Sequence, residues 1–166
     1  MFRMIDYLGF LLKSTNEHGV HSPFLFAYLT KCLYRGGWPY PNKALGVAMK
    51  SIPYFGIESV GNFPGNTQNA LRLAKAFPEK NTETPPFDLL MLGHPEPGLP
   101  GLVSGDRYYH DKTLCVIADI HKNGRYRANW EAVKELRHAR VTVDAYYFGL
   151  VFFRDELSRQ HFRIRI

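Results

Sequence analysis

The chain has 166 residues, 45% of them hydrophobic and 22% charged, the make-up of an ordinary globular domain with enough chain for one core. No apolar run approaches the ~20 residues a membrane-spanning helix needs. The opening Met1-Phe2-Arg3-Met4 has no small-residue cleavage site after it, so neither a membrane span nor a signal peptide is expected. Cys32 and Cys115 are too few for a disulfide framework and their spacing fits no zinc motif, which makes the cytoplasm the expected location. The net charge of +6 allows an acidic partner. The basic residues are scattered, however, and a solvated basic surface is expected ahead of a nucleic-acid site.

Residues 4–13 carry Ile5, Leu8, Leu11 and Leu12 at helical spacing, which predicts a one-sided amphipathic helix. Ser22 then stands as an N-cap with Pro23 at the first helical position. The second helix runs to about Tyr34 with Leu25, Leu29, Cys32 and Leu33 on one stripe, and Gly36-Gly37 ends it. A short helix is a candidate at 43–50, and Ile57 to Val60 reads as a short strand closed by Gly61-Asn62. A helix follows over 66–77, then a proline-bearing loop over 78–86.

Beyond that loop, Phe87 to Leu92 and Thr113 to Ile117 are near-continuous apolar runs, as parallel strands covered on both faces require. A Pro/Gly-rich connection over 94–105 separates them. A helix over 125–137 turns Tyr126, Trp130 and Val133 inward. Val141 to Tyr147, a turn at Phe148-Gly149, and Leu150 to Phe153 predict a hairpin. Phe162, Ile164 and Ile166 alternate with Arg163 and Arg165 as in a half-exposed edge strand. Strands alternating with helices predict an α/β fold. The expected form is one domain with a reduced Rossmann-like sheet, N-terminal helices over 1–36, an α/β core over 55–166 and a C-terminal antiparallel hairpin.

Four stretches carry a family likeness. TNEHGVHSPFLFAYLTKCLY at 15–34 and VTVDAYYFGLVFFRDELSRQHFRIRI at 141–166 are its most specific parts. FDLLMLGHP at 87–95 and TLCVIADIHK at 113–122 lie between them. Together they resemble a group of class I S-adenosylmethionine-dependent methyltransferases found in Bacteroidetes. The resemblance makes 15–34 its N-terminal helical segment, 87–95 and 113–122 its fourth and fifth strands, and 141–166 its closing hairpin and edge strand. It implies S-adenosylmethionine as cofactor and a divalent metal held by carboxylates at the ends of the fourth and fifth strands. On it, Gly61 and Asn62 match a strand end that contacts the adenine edge, and Asp119 matches a metal-binding or basic position.

The chain departs from that pattern in three places. No E/D-x-G-x-x-x-G turn is present to let the backbone approach the methionine moiety. The fourth strand ends Leu92-Gly93-His94-Pro95 without an acid, and the fifth reads Ala118-Asp119-Ile120-His121 where the family has two adjacent aspartates. One carboxylate remains of the expected metal set. Asp119 and His121 are nonetheless the candidate catalytic pair, since ligands of parallel α/β sheets sit past the carboxyl ends of strands. The plainer reading makes Asp119 a helix cap and His121 a surface residue. Glu17, His18 and His21 are expected to fix a helix junction, His94 and His110 to face solvent, and Cys115 to lie in the core.

Three functions follow as expectations. The first is a degenerate methyltransferase-like protein without standard methyl transfer, acting through a homodimer or protein partner at the sheet edge that lost strands expose. The second is an active methyltransferase whose pocket a partner subunit completes. The third is a small basic nucleic-acid-binding domain, which rests on net charge and scattered aromatics alone.

Overall fold

The computed structural model describes residues 2–38, 40–63, 67–95, 101 and 107–166. It is an α/β fold. Helix α1 covers Phe2–Lys13. Helix α2 (Pro23–Tyr28) is capped by Ser22, whose hydroxyl accepts from the Leu25 N–H, and runs on through a π-helical turn at Leu29–Leu33. Helix α3 (Lys43–Phe55) starts on the Asn42 cap and ends on Gly56, whose φ of 63° only glycine adopts at little cost. Then come β1 (Val60–Asn62), α4 (Thr67–Ala76), β2 (Leu89–Leu92), β3 (Leu114–Ala118), α5 (Gly124–Lys134), β4 (Val141–Asp144), β5 (Phe148–Phe152) and β6 (Gln160–Arg163). Most of the connection expected over 94–105 lies outside the described residues.

The six strands form one sheet in the order β1-β2-β3-β5-β4-β6. Strands β1, β2 and β3 run parallel, β5 is antiparallel to both β3 and β4, and β6 is parallel to β4. The hairpin therefore joins the sheet through its second strand, with its first strand further out.

Side chains alternate across a strand, and two cores result. Leu89, Met91, Leu114, Val116, Val143 and Leu150 face one way and meet Leu25, Tyr28, Leu29, Leu45 and Ile52 of α2 and α3. Leu90, Leu92, Cys115, Ile117 and Val151 face the other way and meet Trp130 and Val133 of α5. The full burial of β2, β3 and β5 explains why these segments read as unbroken apolar runs.

Several boundaries differ from the sequence reading. The first strand is Val60–Asn62, so Gly61 and Asn62 lie inside it instead of closing it. The Asp88 carboxylate takes the Glu58 and Ser59 N–H groups at 2.8 and 3.0 Å, while the Ser59 carbonyl still accepts from the Leu89 N–H at 3.0 Å. The hairpin turns at Ala145–Tyr147, not at Phe148-Gly149. There the Asp144 carboxylate accepts the Tyr146 N–H at 3.0 Å, and Tyr146 takes a φ of 65°. Gly149 is a strand residue whose missing side chain makes room for Trp130; a Cβ would stand 2.6 Å from the indole.

Helix α1 reverses its expected orientation. Ile5, Leu8 and Leu12 are 60, 53 and 89% exposed, while Phe10 is buried. Ring contacts of Tyr7 and Phe10 with Tyr146, at 4.8 and 5.3 Å, dock the opposite side of the helix on the hairpin turn. His94 and His110 are half-buried instead of solvent-facing: His94 stacks on Tyr126 and His110 bonds Asp88 at 2.9 Å. At the sheet margins, Asn81 bridges to Val60 of β1 and Thr15 to Ile164 just after β6. No described helix is long and apolar enough to cross a membrane.

Candidate functional site

Parallel strands end where loops must turn away from the sheet, and the open space there is where α/β folds collect functional side chains. The first such space is a cleft of about 440 Å³ past the end of β3. Tyr7, Asn42, Lys43, Asp119 and Tyr147 line it. Asp119 has a φ of 59°, a strained setting for a residue with a side chain, and its N–H donates to the Tyr147 carbonyl at 2.8 Å. Its carboxylate pairs with Lys122 at 3.1 Å. Across the cleft, the Lys43 ammonium lies 5.2 Å over the Tyr147 ring and donates to the Ile166 carbonyl. Burial holds Lys43 below the usual lysine range.

A divalent cation does not fit these donors. Magnesium wants several oxygens and no competing cation. Asp119 supplies one carboxylate already neutralised by Lys122, and Lys43 lines the same cleft. Among the described residues, no group of three or more His, Cys, Asp or Glu side chains surrounds a common point. Asp119 does not cap the next helix either: Asn123 does, accepting from the Tyr126 N–H at 2.8 Å.

His121 belongs to a second cleft, of about 390 Å³, beneath α1. Its Nε2 lies 2.8 Å from Asp144 Oδ2, and the two side chains are only 10 and 5% exposed. Asp144 also takes the Tyr146 N–H and faces the Arg163 Nε at 3.7 Å. The imidazole stacks on the Tyr146 ring at 5.2 Å, with Phe10 edge-on at 6.1 Å. With Asp144 as acceptor, the neutral ring carries its proton on Nε2 and leaves Nδ1 as the lone-pair nitrogen. Asp119 and His121, two residues apart, thus line different clefts and form no catalytic pair.

Gly61 and Asn62 stand at a third place. Gly61 is a glycine because the Phe87 ring packs against it; a Cβ would meet that ring at 2.5 Å. Asn62 borders a cleft of about 370 Å³ with Phe63, Phe87, Arg107 and Tyr108. Its Nδ2 donates to Asn81 at 3.0 Å and its Oδ1 is buried with no partner. One unpaired amide oxygen between aromatic rings suits the edge of a flat base. The candidate cofactor and catalytic side chains, Asn62, Asp119 and His121, thus line three clefts that share no described lining residue.

Glu17 and His18 sit together in a single 3-10 turn between α1 and α2, capped by Asn16. The sequence reading missed Lys43, Asp144 and Arg163. Asp144 had a signal, as the acid ending an apolar run at 141–144, but extending that strand to Tyr147 hid it. Comparison with models of known protein families, with curated proteins and with solved structures finds no match to this chain.

Proposed function

We propose that this chain is a reduced, methyltransferase-like protein that has kept the sheet of its ancestors and lost methyl transfer. Two features support the ancestry. The segments that resemble the family's fourth and fifth strands are adjacent and parallel, as β2 and β3, and the segment that resembles its closing hairpin extends the same sheet as β4 and β5.

One observation carries the loss of activity. The candidate cofactor and catalytic residues lie at three separate clefts, and three of the four are engaged by a neighbour: Gly61 by the Phe87 ring, Asp119 by Lys122 and His121 by Asp144. Methyl transfer needs the acceptor and the sulfonium methyl aligned in one pocket, and alignment is the larger part of its catalysis. Groups spread over three clefts do not provide that alignment. A cytoplasmic location goes with this reading.

The test is incubation with methyl-labelled S-adenosylmethionine, magnesium and a panel of phenol, catechol and carboxylate acceptors. Label transfer at the protein-free background rate is expected. Transfer above background that disappears in Asp119→Asn would overturn the reading and favour an enzyme.

A further inference from the structure

The cleft beneath α1 collects cationic side chains from three elements. We propose that it binds a small phosphate-bearing molecule.

Three permanently charged cations line the cleft, Lys13 from α1, Arg127 from α5 and Arg163 from β6, against one carboxylate, Asp6. Lys13 has no ion-pair partner among the described residues. Arg127 pairs with Asp6 at 3.2 Å through one terminal nitrogen, and its Nε is buried with no acceptor. Arg163 meets Asp144 only through Nε, at 3.7 Å, so its terminal nitrogens remain for another acceptor. Three cations brought from three elements fit a tetrahedral anion, whose several oxygens accept from several directions.

His121 stands at the back of the cleft, with Asp144 on its Nε2, the Tyr146 ring on one face and Phe10 edge-on. The cleft volume of about 390 Å³ exceeds a phosphate, and the Phe10 and Tyr146 rings give its remaining space an apolar wall. The ligand class is therefore a phosphomonoester with a small organic body.

The experiment is calorimetric titration of the full chain with inorganic phosphate, ribose 5-phosphate, ribose and succinate. Saturable binding of both phosphates is expected, with ribose 5-phosphate the tighter and ribose and succinate much weaker. Lys13→Gln and Arg163→Gln should each weaken binding about tenfold. Lys13 is exposed, so its variant stays folded even if Arg163→Gln does not. The proposal is overturned by no saturable heat at ~10 mM phosphate, by succinate binding as tightly as phosphate, or by full affinity in Lys13→Gln. Because no methyl donor takes part, the result stands apart from the outcome of the methyl-transfer assay.

Discussion

At the scale of single residues, Asp88 shows how one side chain stands in for backbone pairing. Its carboxylate accepts the Glu58 and Ser59 N–H groups and His110 Nε2, while its own N–H donates to the Ser59 hydroxyl at 2.9 Å. Partial burial pushes the carboxyl up, but the hydrogen bonds outweigh it and the group lies below the usual aspartate range. A carboxyl depressed in the folded state stabilises above its unfolded value, near 3.9, and that contribution disappears as pH falls through the folded value. Asp88→Asn should therefore lower stability by about 1–2 kcal/mol at pH 7, discounted for the part of the group that solvent reaches. In urea titrations the gap to the parent should close as pH drops from ~5 to ~2. A gap of constant size across that range would show that Asp88 acts by packing and not by charge. None of this is legible in the sequence, where Asp88 is one polar letter inside an apolar run and its partners lie some thirty residues upstream and 22 residues downstream.

At the scale of elements, periodicity located most helices and strands but not the reasons for their glycines. The pattern Phe148-Gly149 reads as a turn because glycine commonly marks one, yet Gly149 sits mid-strand beneath Trp130. The close approach comes from a helix starting twenty-five residues earlier, and local propensity carries no trace of it. Gly149→Ala must push the fully buried indole away or bend β5, which should cost about 2 kcal/mol as overpacking. A fall in melting temperature with a shifted tryptophan emission would bear this out. Unchanged melting and emission would mean that the α5 face of the sheet is looser than its packing indicates. Helix α1 holds a related lesson. Its aliphatic stripe gave the correct element but the wrong inward face, because Tyr7 and Phe10 find aromatic partners on the hairpin turn. A single-sequence moment counts hydrophobicity and not which rings await it.

At the scale of the whole molecule, the alternation of buried runs with helices made the α/β sheet legible. The parallel pairing of β2 with β3 followed from their unbroken apolar character. The candidate site was only partly legible. Asp119 and His121 were found because strand ends are where such folds place polar groups, and both do line clefts there. Their separation was hidden, because it depends on the left-handed turn at Asp119 and on Asp144 drawing His121 toward β4. A sequence shows two polar residues close together, whereas the backbone between them decides whether they meet.

The central claim is that the sheet has outlived its cofactor. Titration of the intact chain with S-adenosylmethionine and S-adenosylhomocysteine, with and without magnesium, tests it most directly. The account predicts no saturable heat up to ~1 mM of either ligand. Micromolar binding that Asn62→Ala abolishes would contradict it, and would mean that the Asn62 cleft still anchors an adenosyl group.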